Sequence, residues 1–425
     1  MLKVVEEAAA AQDEVGFPTL DQLAHQGAQK MLMTALEEEV ASYIERHKEE
    51  VDEQGHRLVV RNGKAKPRQV TCGAGTLEIQ APRVNDKRVD ESGERQKFTS
   101  QILPPYMRRS PKVAEVLPVL YLRGLSTGDF QPALRSLLGE EAAGLSATNI
   151  SRLTAVWEDE YRRFSKCNLA DRDYVYVWAD GIHFNVRLEE DRLCTLVIIG
   201  VRPDGEKELV ALADGYREST DSWKSVLRDL KRRGMQAPVV AVGDGALGFW
   251  AAVRAVWPET REQRDWCHKL GNVLDKLPKR LQPKAKRMLR EAMYADTREQ
   301  ADEQIDAFVA EFSPKHEKAV TCLTKDREVL LTLFDFPAEH WKHLRTSNVI
   351  ESPFATVRLR QRVTKGAGNR TKALTMAFKL LEMAQQRWRR LDGAKLLPLV
   401  RAGVQFVDGV QIEREDEDKT REEAA

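Results

Sequence analysis

No apolar run in the sequence approaches the roughly 20 residues that a membrane-spanning helix needs, so a helical membrane protein is excluded. Cysteine is scarce and scattered. The five residues, Cys72, Cys167, Cys194, Cys267 and Cys322, are odd in number and contain no CxxC pair, so neither a disulfide framework nor a structural zinc site is indicated. The amino-terminal stretch MLKVVEEAAAAQDE is acidic and has no long apolar centre, unlike a secretory signal, and the chain reads as a reduced, cytoplasmic protein. An excess of one charge is missing too. Lys and Arg total 67, Asp and Glu 66, and the net charge is +1, so any nucleic-acid signal must lie in how the charges are distributed. No internal repeat is evident. What is present is enough apolar material, 42% of residues, to bury sizeable cores in roughly two to four domains.

Local patterns divide the chain. Residues 1–17 read as a loose leader. Pro18-Thr19 opens a helix, with Thr19 and Gln22 spaced for a capping box, and Leu20, Leu23, Met31, Leu32, Leu36, Val40 and Ile44 follow at helical spacing. From 57 to 84 the pattern changes to short strands, with turns at Asn62-Gly63 and Gly73-Ala74-Gly75 and alternating Leu77 and Ile79. Arg57, Arg61, Lys64, Lys66, Arg68 and Arg83 make this element either a solvated hairpin or a DNA-contacting arm. Residues 111–165 read as helices. In GLSATNISRLTAVWEDEY, Ser146 is placed as an N-cap, and Ile150, Leu153, Trp157 and Tyr161 share a face. Thr148, Asn149, Ser151 and Arg152 are left exposed at the helix start. This is the pattern of a helix-turn-helix reading DNA, or of an ordinary helical hairpin.

From residue 173 the chain turns β-rich, in DYVYVWADGIHFNVRL, CTLVIIGVRP and KELVALADGY. A helix over roughly 219–233 follows, then the short apolar run PVVAVGDG expected of a buried parallel strand, then a helix over 246–256. Residues 269–340 form a long helical block, rich in Lys and Arg at its start. Asp180 ends the strand Val-Trp-Ala-Asp-Gly and Asp244 ends Ala-Val-Gly-Asp-Gly. Carboxylates at strand ends of an α/β sheet project into the crevice where ligands bind, and the following glycines allow close approach. Glu351 sits near the start of a helix able to reach that crevice. Three converging carboxylates repel one another unless hard divalent cations lie between them. An Asp-Gly after a strand is by itself more often a turn than a ligand, so the weight comes from context. From Arg345 to Arg390 there are eleven Lys and Arg against two acids, which suits a polyanion whose phosphate meets metal at one point.

Several segments, in order, resemble the mutator-type transposases of bacterial insertion sequences: RNGKAKPRQVTCGAGTLEIQAPR, LPPYMRRSP, LSATNISRL, ADGIHFNVR, VVAVGDGALGFW, QRDWCHKLGNVL and, most specifically, FPAEHWKHLRTSNVIESPFATVRLRQRVTKGAG. The resemblance implies an α/β ribonuclease-H-like core with an all-helical insertion, plus a mainly helical amino-terminal DNA-binding region carrying a small β element. It implies that Asp180, Asp244 and Glu351 are the metal-binding catalytic residues, holding two Mg²⁺ (or Mn²⁺) ions. Asp265 and His268 match a Cys-or-Asp, two residues, His motif in its Asp version, with a supporting role near the site. The expected organisation is an N-terminal helical region (1–55), a basic β element (56–95), a helix-turn-helix-like DNA-binding region (96–168), the first part of the core (169–268), the insertion (269–340), the last part of the core with the glutamate helix (341–395) and a C-terminal tail (396–425), acidic from Glu413.

The implied chemistry is DNA cleavage by water followed by attack of the freed 3′-OH on target DNA, with no covalent protein–DNA intermediate. The implied partners are double-stranded DNA (terminal inverted repeats and target) and a second copy of the chain, in a bacterial, nucleoid-associated setting with no membrane role. Candidate DNA contacts are Asn149, Arg152, Arg345, Asn348, Arg358, Arg360, Arg362 and Lys365. Because 358, 360 and 362 alternate, the glutamate helix is expected to end near them. Trp341 is expected to pack in the core rather than stack on a base. The rival readings are a ribonuclease-H-like junction nuclease, which cuts without joining, and a non-catalytic DNA-binding regulator.

Overall fold

The structure is a computed structural model that describes residues 17–123, 130–138, 147–186, 193–215, 219–245, 247–364 and 369–412. Two compact units divide the chain, Met1–Leu153 and Thr154–Ala425.

In the first unit, helix α1 (Leu20–Arg46) starts at the capping box expected from Thr19 and Gln22: each side chain bonds the other's backbone N–H. Leu36 and Val40 are buried, whereas Leu20, Leu23 and Met31 of the same apolar series remain exposed. Strands β2 (Arg68–Cys72) and β3 (Gly75–Ile79) form a hairpin through Gly73-Ala74. Val70, Leu77 and Ile79 pack with Leu36 and Leu103 into a small core. Asn62-Gly63 does not turn the chain. It lies inside β1 (Val59–Lys64), which pairs with β4 (Pro82–Asp86) and shifts register between Arg61 and Lys64, so the pair acts as a bulge site. The basic character of this element is partly spent internally: Glu37 pairs with Arg61 at 2.5 Å and Lys64 at 3.9 Å, and Arg68 donates to the carbonyls of Leu103 and Pro104. Helices α2 (Pro111–Arg123), α3 (Phe130–Leu138) and α4 (Ala147–Phe164) follow. Ser146 and the expected turn before it lie outside the described residues, as do the leader and the acidic tail from Glu413.

The second unit is built on a five-stranded sheet of order β7-β6-β5-β8-β9: β5 (Tyr176–Phe184), β6 (Leu193–Val201), β7 (Lys207–Gly215), β8 (Val240–Gly243) and β9 (Arg261–Arg264). β6 is antiparallel to both β5 and β7, while β5, β8 and β9 run parallel. Every residue of β6 is buried, and its sequence LCTLVIIGV, apolar but for Thr195, suits a strand covered on both faces. Side-chain alternation separates the faces. Val177, Ala179 and Ala241 pack against Trp223, Leu227 and Leu230 of α5 (Thr220–Arg232) and Phe249 and Val253 of α6 (Leu247–Val256). On the other face, Tyr176 meets Phe336 and His340 edge-on, and Trp178 donates from Nε1 to the carbonyl of His343. Trp341 is buried, as expected, against Phe334, and its Nε1 donates to the Phe336 carbonyl.

Residues 266–344 contribute helices: α7 (Trp266–Leu274), α8 (Gln282–Met293), α9 (Arg298–Phe312), α10 (Glu317–Thr324), α11 (Arg327–Leu331) and α12 (Trp341–Leu344). Helix α13 (Asn348–Thr364) carries Glu351, and α14 (Arg370–Gln385) follows. The segment from 396 is not a loose tail up to 412. Leu397 and Val400 of α15 (Leu397–Arg401) and Phe406 are buried. β10 (Phe406–Val407) and β11 (Val410–Gln411) form a hairpin over Asp408-Gly409, both at positive φ, the geometry a two-residue turn of this kind demands. A side chain at 409 would collide with Ala338, and Asp408 accepts from the backbone N–H of Arg298, at the start of α9.

One network ties the first unit together. Asp86 is nearly inaccessible, accepts from Tyr43 Oη at 2.7 Å, and is gripped by the Arg88 guanidinium at 2.8 and 3.0 Å. Arg88 is the main cause that brings its pKa down to about 2, against the cost of burial. A depressed carboxyl stabilises the fold above its unfolded value near 4 and loses that contribution as pH falls towards 2, here about 2 kcal/mol. Thermal unfolding of the full chain and of Asp86→Asn should therefore differ by about that amount at pH 7 and converge by pH 2. Parallel curves over that range would remove Asp86 from this role.

Candidate active site

Strand register brings the first acids together. Ala179 of β5 pairs with Gly243 of β8, and Gly243 with Arg264 of β9. Asp180, Asp244 and Asp265 are each the next residue, so three carboxylates stand in a row across the parallel strands, which lie about 4.8 Å apart. Asp180 does not end its strand as expected but lies within β5, whose pairing with β6 continues to Phe184, while Asp244 and Asp265 directly follow β8 and β9. Parity puts Asp180 on the face of Tyr176 and Trp178, and Asp244 on the face opposite Ala241. That is the face over which residues 336–343 lead into the glutamate helix. Asp180 also accepts from the N–H of Gly181 at 2.7 Å. After Asp244, Gly245 takes φ +84°, and the Arg264 guanidinium occupies the space a Cβ there would fill, so only glycine fits.

Asp265 is 1% exposed and caps α7, Oδ1 accepting the His268 backbone N–H at 2.6 Å. Its Oδ2 accepts from Ser347, from both the backbone N–H and, at 2.7 Å, the hydroxyl. The adjoining Trp266 N–H bonds the Arg345 carbonyl at 3.0 Å. Ser347 precedes α13, and its Oγ lies 2.8 Å from Glu351 Oε1. One hydroxyl proton thus stands between two carboxylates. His268 completes the group, with Nδ1 3.3 Å from Asp265 and Nε2 3.5 Å from Glu351. Ligand atoms of Asp265, His268 and Glu351 all lie within 4.8 Å of one another.

The electrostatics follow from these contacts. Burial opposes the charge on Asp265, but the hydrogen bonds from His268 and Ser347 outweigh it and hold its carboxyl below the usual range. Contact with Asp265 pushes His268 up to about 9 against the cost of burial, with Glu351 and Asp244 adding to the effect, which also places Asp244 within electrostatic reach of the group. Cations between the same carboxylates would act in the opposite sense on the imidazole. Burial of the Cys267 thiol, followed by the nearby acids, raises its pKa.

The residues fit hard divalent ions. Asp180, Asp244 and Glu351 are partly accessible carboxylates, the hard oxygen donors such ions take, and Asp265 is buried with three donors on its oxygens. Asp265 holds the starts of two helices, α7 through His268 and α13 through Ser347. Ser347, which joins it to Glu351, was not apparent from sequence. The only hint was a serine four residues ahead of the acid.

The expected DNA contacts fall into several groups. Asn348 is exposed at the first position of α13. Arg345 is half-buried, its guanidinium 4.8 Å from the ring centre of Tyr294, and burial lowers its pKa. Helix α13 does not end near 358 but runs to Thr364. At 100° per residue, Arg358 and Arg362 share an exposed face, while Arg360 points inward and is 3% exposed. Arg360 is thus corrected from a surface contact to a buried residue. Arg152 is exposed on α4. The Asn149 side chain and Lys365 lie outside the described residues.

A family model described as "Transposase, Mutator family" matches residues 2–390. A transposase for insertion sequence element IS6120 of Mycolicibacterium smegmatis is 56% identical over 302 residues, covering 71% of this chain and 93% of the relative. A transposase for element IST2 of Acidithiobacillus ferrooxidans is 46% identical over 288 residues, covering 66% and 95%. A transposase for element IS256 in transposon Tn4001 of Staphylococcus aureus is 25% identical over 366 residues, covering 83% and 87%.

The Ser347 bridge is testable through the cation rather than through rate alone. Ser347→Ala should weaken Mn²⁺ binding, followed by calorimetry on the free protein, about tenfold, while Ser347→Thr keeps the hydroxyl and most of the affinity. Equal Mn²⁺ affinity in wild type and Ser347→Ala would show that Glu351 needs no such support.

Proposed function

We propose that this chain, which belongs to the Mutator family of transposases, cuts and rejoins DNA at Asp180, Asp244 and Glu351 and does so as an enzyme of the ribonuclease-H-like type. The observation that carries the reading is the register itself: Asp180 and Asp244 at matching positions on neighbouring parallel strands, with Glu351 linked through Ser347 to the third carboxylate of the row. The mixed sheet, with helices on both faces, supports the ribonuclease-H-like assignment of the core, and the helices between Trp266 and Leu344 support that of the insertion. Among the described residues no helix is long and apolar enough to cross a membrane.

Two Mg²⁺ or Mn²⁺ ions held by the three carboxylates would supply activation of the attacking oxygen and stabilisation of the leaving one. The chain's own contribution is positional. The strands position Asp180 and Asp244, the Asp265–Ser347 contact fixes the start of the glutamate helix, and His268 lies between Asp265 and Glu351. In the first step water adds to a phosphodiester at the element end, and its proton leaves to solvent as a free 3′-OH and a 5′-phosphate form. In the second that 3′-OH displaces a target 3′-oxygen, so one phosphodiester forms for each one broken. Arg358 and Arg362, on the exposed face about two turns beyond Glu351, suit contacts to the DNA backbone near the scissile phosphate. The exposed Arg152 suits end recognition by the helices of 96–168. Terminal inverted repeats are the substrate this reading implies, with two chains pairing two ends.

Two measurements check this. Asp180→Asn, Asp244→Asn and Glu351→Gln should each abolish cleavage and joining of a labelled element end in Mg²⁺ while binding of that end persists; wild-type cleavage by any one removes that residue from the site. Arg358→Ala combined with Arg362→Ala should lower the slope of log affinity against log salt by about two, whereas Arg360→Ala should act on stability instead. Coincident slopes for the double variant and wild type would take these arginines off the DNA.

A further inference from the structure

Beside the site lies a groove between α8 and α9 of about 730 Å³. Its lining includes Lys286, Arg287 and Arg290 along one helix, and Tyr294 just past that helix's end. All four are exposed, Tyr294 to 59%. None of the three cations is in an ion pair among the described residues, although Lys284 on the same helix is neutralised by Glu311. Three uncompensated charges within five residues repel one another, a cost that a bound anion would relieve. The groove is not simply cationic. Glu291, Glu303, Gln300 and Gln304 also line it and offer carboxylate and amide groups. Such groups match base edges rather than phosphates.

The groove joins the carboxylate site at two points. The Arg345 guanidinium rests on the Tyr294 ring, and the Arg345 carbonyl is held by Trp266, next to Asp265. Tyr294 lines the groove and Arg345 stacks on the same ring. Arg290 is near enough to lower the pKa of Cys267, one residue from His268. A cation on an aromatic ring fixes its orientation, and an oriented, exposed ring is a platform for a stacked base.

The geometry points to a single-stranded DNA subsite. The strand leaving the scissile phosphate runs into this groove, its backbone along Lys286 and Arg290 and one unpaired base stacked on Tyr294. This rests on the reading of the chain as a DNA-cleaving enzyme and adds to it an unpaired strand as the form of DNA bound by the helices between strand β9 and the glutamate.

The test uses the full chain and two labelled probes, a mixed-sequence 12-nucleotide single strand and a 20-base-pair duplex. Tyr294→Ala should weaken single-strand binding about tenfold and leave duplex binding nearly unchanged, with Tyr294→Phe close to wild type. Lys286→Ala with Arg290→Ala should lower the salt slope for the single strand by about one and a half. If Tyr294→Ala binds the single strand as wild type does, or loses both probes equally without rescue by Phe, the groove is not a stacking site. Wild-type cleavage of element ends alongside such a result would leave the functional reading standing. A wild-type protein that binds neither probe and cuts no end would overturn both.

Discussion

Three donors and an imidazole converge on the carboxylate of Asp265, which is almost wholly removed from water. Burying an ionised carboxyl is expensive unless its lone pairs are filled, and here they are filled by groups from two different helix starts. The carboxylate that caps α7 through Oδ1 also holds, through Oδ2, the residue that precedes α13. Charge, helix capping and the placement of Glu351 are therefore one arrangement. Asp180 is placed by the pairing of β5 with β6, and Asp244 by directly following β8.

This division explains why the acids differ in character. The two aspartates come from rigid strands and are partly accessible. The glutamate comes from a helix that would be free to shift, and it is tied down by a hydroxyl shared with a buried neighbour. Pro353, two residues beyond Glu351, removes a backbone donor from the first turns of α13, so that end of the helix is held less by its own ladder than by Ser347 and the packing of Ile350 and Phe354. Positioning from outside the helix replaces what the helix lacks within.

Much of the sheet was legible because its strands are apolar, alternate or continuous, although Asp180-Gly181, which looks like a strand end, lies inside β5 because β6 pairs with it to Phe184. The Thr19 and Gln22 cap was legible for the same reason, since both signals are local. The misreadings arose where distant contacts decide. Strand β9 has the sequence Arg-Glu-Gln-Arg, with no apolar alternation, and becomes a strand only because β8 offers it a parallel edge. Asn62-Gly63 has the composition of a turn, yet pairing with β4 draws it into a strand. Arg360 was counted with the basic surface because charge is visible in a sequence and the inward side of a long helix is not. The Asp408-Gly409 hairpin had a recognisable turn signal, flanked by Val407 and Val410, which was missed within a polar carboxyl-terminal region. The link from Ser347 to Asp265 spans 82 positions, and no spacing rule reaches that far.

That span has a cost in chain entropy. Bringing together two points some 82 residues apart on a structureless loop would forfeit about 4 kcal/mol, comparable with several good hydrogen bonds. The intervening chain is not structureless: Leu289, Ile305, Phe308 and Leu323 give the helices between α7 and α12 a buried interior of their own. Once folded, that block behaves as a short, stiff connector, and little freedom remains to be lost when Ser347 meets Asp265. Loosening its interior would lengthen the effective loop, so damage far from any carboxylate would be felt at the site as lost order, with every charged group still in the sequence.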